Sequence, residues 1–327
     1  MNNHSFIFKN KLVLNLLFTA LLSICSTTRA GESATSSYKR MIVFGDSLSD
    51  LGTYQQIAAP MRGGQFTTNP GPIWAKVVAH KLKLNLDANR QEGFGMPLKV
   101  IGGYNYAQGG ARVSTPSEST SSAKSSARPL TEQFNYFLKS DLFFKNDDLV
   151  FVQGGANDLF HQLTELQNGN ITPQQAVANM RSVAFELVLL VSQMKVFGAK
   201  NLFVINMPAI EQTPRVIKFD ANTQKLIQMM VQSFNQVVAS QIQDLKIGYI
   251  DFYAFDRKFN ESYEKYGFKN ITQPGCRVEV LPTQSSLFCS SRTLVNSKAA
   301  ETYKFADAIH PSTGFSKVVG QFIYSFL

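Results

Sequence analysis

Histidine, cysteine and acidic side chains are all scarce in this chain. Its 327 residues hold four histidines, three cysteines, and 23 Asp and Glu against 32 Lys and Arg. Four histidines at positions 4, 80, 161 and 310 are too few and too scattered for the clustered ligand sets of a metal site, so no metal is expected. No phosphate-binding glycine loop and no internal repeat is present, and no cofactor is expected. The net charge of +9 comes without a nucleic-acid motif or a dense Lys/Arg stripe, which argues against a nucleic-acid partner.

Long apolar runs are missing too, apart from one at the start. Leu12 to Ile24, broken by Asn15, falls short of the ~20 residues that a membrane span requires. Lys9 and Lys11 precede it and Thr28-Arg29-Ala30 follows, a pattern that predicts a secretory signal over residues 1–30 and a secreted, periplasmic or extracellular protein. The remainder, 31–327, has ample apolar content for one domain. With Lys9, Lys11 and Arg29 removed, the mature charge is +6, enough to draw the protein toward anionic lipid surfaces by long-range steering. Cys25 leaves with the leader, and Cys276 and Cys289 are expected to pair in an oxidising compartment. Their bridge would tether a loop within 258–305 and contribute about 3 kcal/mol on the chain-entropy estimate.

What is present begins with Val43-Phe44-Gly45-Asp46-Ser47-Leu48-Ser49-Asp50. An apolar strand ends at a glycine, and Ser47 stands where a helix is expected to start. A hydroxyl there projects above the sheet, with its own N–H and the helix dipole turned toward a developing oxyanion. Ser47-x-x-Asp50 is equally the pattern of a capping box. Near the other end, Asp307-Ala308-Ile309-His310 spaces a carboxylate and an imidazole so that one can orient the other, though a surface loop or two metal ligands would have the same spacing. Gly154-Gly155-Ala156-Asn157-Asp158 delivers an amide beyond a strand, either to an oxyanion or as a helix cap. In Asn105-Tyr106-Ala107-Gln108-Gly109-Gly110, absent side chains let a backbone N–H approach a substrate.

Five short apolar segments are predicted as strands: 41–44, 98–101, 149–152, 202–205 and 247–250. Helices are predicted over 73–84, from a Thr172 cap with Pro173 and Gln175 to about 197, over 223–242, and from 312 onward. The alternation predicts an α/β fold with a five-stranded, mainly parallel sheet between helical layers, and Ser47 and Asn157 at the carboxyl edge of its strands. The serine-rich segment 112–129 is predicted as an exposed connector in preference to a substrate lid, and the region 258–305 as a loop overhanging His310 that folds over acyl chains or gates access, with Val278, Val280, Leu281, Leu287 and Phe288 supplying apolar contact.

In order along the chain, Gly45-Asp46-Ser47-Leu48, Asn105 through Gly110, Gly155-x-Asn157-Asp158 and Asp307-x-x-His310 resemble the blocks of the GDSL, or SGNH, hydrolase family. The resemblance implies an α/β/α sandwich of flavodoxin-like type. It also implies Ser47 as nucleophile, His310 as base, Asp307 as its orienter, and an oxyanion hole made of the Ser47 N–H, the Gly110 N–H (in preference to Gly109) and the Asn157 side chain. Phe44 to Asp50 and Asn69-Pro70-Gly71-Pro72-Ile73-Trp74 look like the secreted bacterial branch containing lysophospholipases A and glycerophospholipid:cholesterol acyltransferases, with Pro70 interrupting the commoner Asn-Gly-Pro form. By that resemblance the chain is expected to hydrolyse acyl esters of lysophospholipids or phospholipids at a membrane surface, with a sterol as candidate acyl acceptor. The alternatives are a carbohydrate or short-chain acyl esterase and, in another class, a secreted binding protein on a degenerate hydrolase fold.

Overall fold

In the computed structural model, residues 37–116 and 127–327 are described. The signal reading of residues 1–30 and most of the serine-rich connector lie outside them. In chain order the elements are β1 (Arg40–Phe44), α1 (Gln55–Ala58), α2 (Trp74–Lys81), β2 (Arg90–Gly93), β3 (Met96–Val100), α3 (Leu130–Asp141), β4 (Asp148–Gln153), α4 (Ala156–Gln167), α5 (Pro173–Val196), β5 (Asn201–Ile205), α6 (Ala221–Ile242), β6 (Gly248–Ile250), α7 (Phe252–Asn260), β7 (Asn270–Pro274), α8 (Ala299–Thr302), β8 (Tyr303–Phe305) and α9 (Thr313–Tyr324).

The main sheet runs β1-β4-β5-β6 and every pairing in it is parallel. Its strands read as nearly unbroken apolar runs because both faces are covered. Side chains alternate between two cores. Ile42, Phe44, Val150 and Val152 face α3, α5 and α6 through Phe134, Leu187 and Phe234. Met41, Val43, Leu149 and Phe151 face α2 and α9 through Trp74, Val78, Phe315 and Val319. This is the α/β/α arrangement that the alternation of segments predicts.

Among the described residues the sheet has four strands, not five. Residues 98–101 belong instead to the antiparallel hairpin β2–β3, where Leu98 and Val100 are 56% and 68% exposed. A nearby partner in sequence, Arg90–Gly93, takes them up locally, and Gly102 follows with φ +86°. The vacant fifth place is filled by a single residue: Asn105 bridges Val43 in parallel, with Val43 N–H donating to the Tyr104 carbonyl at 3.0 Å and Tyr106 N–H to the Val43 carbonyl at 2.8 Å.

Ser47 does not open a helix. Gly45 to Asp50 form a turn in which Ser49 N–H donates to the Asp46 carbonyl, and the first helix begins at Gln55. The capping box is absent as well, since Asp50 accepts from Gly52, Thr53 and Gly109 N–H groups at 2.8 Å each. Ser47 therefore has no helix of its own to supply a dipole. Elsewhere local signals hold: α5 starts with a complete Thr172–Gln175 capping box and Pro173 at its first position.

Candidate active site

The turn after β1 and the loop before α9 bring together residues 263 apart in sequence. His310 Nε2 lies 2.8 Å from Ser47 Oγ, and His310 Nδ1 lies 2.7 Å from Asp307 Oδ2. Asp307 also accepts N–H bonds from Ile309, His310 and Ser286, so both carboxylate oxygens are held. With Asp307 accepting from Nδ1–H, Nε2 is left as the acceptor for the Ser47 proton. Burial works to raise the Asp307 pKa, but the facing His310 and these hydrogen bonds outweigh it and hold the carboxyl well below the usual range. Phe66 lies against the imidazole with ring centroids 4.9 Å apart, closing one side of it to solvent.

Three donors converge on the cavity that Ser47 lines. The Ser47 N–H has no acceptor among the described residues, because the turn uses those of Leu48 and Ser49. Asn157, in the first turn of α4, donates one amide hydrogen to the Ala111 carbonyl at 2.9 Å and keeps the other. Of the two glycines, Gly109 donates its N–H to Asp50 Oδ2 at 2.8 Å while its carbonyl accepts from Tyr54 Oη at 2.6 Å. The Gly110 N–H has no such partner among the described residues, and a φ of +87° is what a glycine there supplies. Asp158 secures the distance between the two segments by accepting from Arg112 Nε and Val113 N–H at 3.1 Å each.

Beneath Ser47 is a buried polar layer that the sequence motifs did not announce. Asp46, wholly buried, accepts from Leu48 N–H and Gln153 Nε2, and with no cation among the described residues paired to it burial pushes its carboxyl up to about 6. Gln133 from α3 clamps Gly45 by donating to its carbonyl and accepting from its N–H. Trp74 Nε1 donates to Ser49 Oγ, and Asn105 Nδ2 donates to the Ser49 carbonyl. The turn is thus held from α3, β4, α2 and the Asn105 segment, which restricts the conformations open to Ser47. No local periodicity encodes this layer; only the isolated polar letters inside apolar segments, Gln133 and Gln153, hint at it.

The cavity measures about 320 Å³ and is mostly apolar, with Leu48, Phe94, Phe160, Ile210 and Leu287 among its walls. The disulfide Cys276–Cys289 is formed, with Cα atoms 6.2 Å apart. Its loop reaches the cavity through Thr283, Ser285 and Leu287. Leu281, Leu287 and Phe288 are buried against Tyr54 and Phe66, whereas Val280 is 52% exposed, and of the five apolar residues singled out in this region Leu287 alone lines the cavity. Among the described residues no group of three or more His, Cys, Asp or Glu side chains is placed to hold a metal ion.

Residues 41–323 match the family described as GDSL-like Lipase/Acylhydrolase. The chain belongs to that family. A GDSL hydrolase of this build is 26% identical over 255 residues to the phosphatidylcholine-sterol acyltransferase of Aeromonas hydrophila, covering 75% of this chain and 66% of that one. It is 31% identical over 172 residues to the anther-specific proline-rich protein APG of Brassica napus, covering 50% of this chain and 37% of the relative. The GDSL chain thus spans less than two thirds of the length of either relative. Among solved structures, phospholipase A1 from Streptomyces albidoflavus NA297 shares 14% identity at TM-score 0.47, covering 88% of this chain and 98% of the other. Est24, a carbohydrate acetylesterase from Sinorhizobium meliloti, shares 14% identity at TM-score 0.42, covering 88% and 97%.

Proposed function

We propose that this GDSL hydrolase is a secreted or periplasmic lipolytic enzyme that cleaves acyl esters of lysophospholipids or phospholipids. The observation that carries the proposal is the unbroken line Ser47 Oγ–His310 Nε2 (2.8 Å) and His310 Nδ1–Asp307 Oδ2 (2.7 Å), opening on an apolar cavity. Ser47 Oγ attacks the ester carbonyl while His310 Nε2 takes its proton, and Asp307 holds the imidazole and balances its charge. The negative oxygen of the tetrahedral intermediate is received by the Ser47 N–H, the Gly110 N–H and the free hydrogen of Asn157 Nδ2. Gly110 is preferred to Gly109 because the Gly109 N–H is already given to Asp50. Collapse expels the alcohol with the proton from His310 and leaves an acyl-serine. Water, or a sterol hydroxyl, then attacks that ester with His310 again as base.

The apolar walls supply an environment for an acyl chain, and the name of the Aeromonas relative supports phospholipid as donor and sterol as acceptor class. The disulfide supports an oxidising compartment for a single catalytic domain following a removed leader. The test is product analysis with purified protein on acetyl, butyryl and long-chain esters and on lysophosphatidylcholine, with and without cholesterol. Free fatty acid from lysophosphatidylcholine is the expected product, and cholesteryl ester would establish transfer. Turnover confined to acetyl and butyryl esters would sink the lipid reading in favour of a short-chain or carbohydrate esterase.

A further inference from the structure

Two cations line the cavity, and they differ in what they have to do. Lys304 is 1% exposed and fully engaged: its ammonium pairs with Asp256 Oδ1 and donates to Asn260 Oδ1, both at 2.7 Å, and lies over the rings of Phe305 and Phe315. It is a neutralised strut at the back of the pocket. Arg215 lines the same cavity without a counter-ion, since no carboxylate of the described residues forms an ion pair with it and burial alone acts on its guanidinium, lowering its pKa.

Its position is fixed from two sides. The Arg215 N–H donates to the Ala308 carbonyl at 2.9 Å, which ties this residue to the loop carrying Asp307 and His310. Its guanidinium carbon sits 4.4 Å from the centroid of the Phe160 ring, one turn beyond Asn157 on α4. The ring holds the cation, while no hydrogen bond within the described residues takes up its N–H groups, which are left to donate. A planar fork of donors, held on an aromatic wall with no acid to neutralise it, fits the paired oxygens of a phosphate. In a lysophospholipid only the glycerol carbons separate the phosphate from the ester that must reach Ser47.

We infer that Arg215 receives the phosphate of the substrate headgroup and so selects phosphate-bearing acyl esters over neutral ones. The inference rests on the lipolytic reading of the site and deepens it. It is tested with a matched pair, lysophosphatidylcholine and the monoacylglycerol of the same short acyl chain, both kept below their micelle concentrations. In Arg215→Gln the ratio of kcat/KM for the phospholipid to that for the monoacylglycerol is expected to fall about tenfold or more, mainly through KM, as the loss of a charge-assisted contact implies. Arg215→Lys, which retains charge but not the fork, is expected between the two. Glycerophosphocholine is expected to inhibit the wild type competitively and Arg215→Gln less. An unchanged ratio, or equal losses on both substrates, overturns the assignment of Arg215 while leaving the lipolytic reading intact. Wild-type turnover of monoacylglycerol but not of lysophosphatidylcholine overturns the phospholipid reading and this inference together. Unfolding midpoints of both variants identify any loss that comes from folding.

Discussion

Among the described residues Ser47 Oγ has one hydrogen-bond partner, the imidazole of His310, and it caps no helix. Removing it therefore costs the fold little and the chemistry nearly everything. Ser47→Ala is expected to lower kcat by four or more orders of magnitude with a change in unfolding free energy below about 1 kcal/mol, measured by ester hydrolysis and urea titration. Undiminished hydrolysis refutes the nucleophile. Asn157→Ala removes one of three donors and is expected to lower kcat by roughly 10²–10³, with little effect on KM. Asp46 behaves differently. Its carboxyl titrates near 6 in the folded protein against ~3.9 unfolded, so the native state binds the proton more tightly. That contribution to stability is complete below about pH 4 and is lost as pH rises through 6. Relative to wild type, Asp46→Asn is expected to gain stability between pH 4 and pH 7, by about 2–3 kcal/mol across the interval, read from urea midpoints at the two pH values. Asp307 has the opposite sign: its depressed pKa gives stability that is present above about pH 4 and lost as acid protonates it.

The element that most directly supports the triad is the tethered loop. Cys276 and Cys289 close a separation of 13 residues, and within it Ser286 N–H donates to Asp307 Oδ2 at 2.7 Å. Asn69 Nδ2 reaches the carbonyls of both Ser286 and Cys289, binding the loop to the segment before α2. Replacing both cysteines with serine is expected to destabilise the protein by about 3 kcal/mol and, at temperatures where it remains folded, to lower kcat more than it raises KM, because Asp307 loses a fixed donor. Circular dichroism melts alongside steady-state kinetics separate the two effects. Elements with strong local signals were readable in advance: Thr172, Pro173 and Gln175 specify the start of α5. Residues 98–101 pair elsewhere because so short a segment, three apolar residues around Lys99, carries no information about which partner it takes. Helix α7, absent from the helices that the sequence predicts, carries signals of its own: Asp251 accepts from Ala254 N–H as cap, and Phe252, Phe255 and Phe259 recur at helical spacing.

Across the whole molecule, the site is a property of the assembled sheet and its helical layers. Ser47 follows β1, Asn157 follows β4 and His310 precedes α9, and these meet only when the parallel strands are in register and both helical layers are in place. Catalysis should therefore be lost in the same transition as tertiary structure. In a urea titration, esterase activity and near-ultraviolet circular dichroism are expected to fall with coincident midpoints, and an activity midpoint well below the structural one would show that the site opens separately. The strand–helix alternation, the glycine-bounded serine, the Asp-x-x-His spacing and the cysteine pair were determined by sequence alone, since each depends on local geometry or on residue chemistry. The number of strands, the absence of a helix at Ser47, the availability of Gly110 over Gly109, the polar layer around Asp46 and the unpaired state of Arg215 were decided by tertiary structure. Each of those is a question of which hydrogen-bond partner or counter-charge arrives from a distant part of the chain, and spacing along the chain does not contain that information.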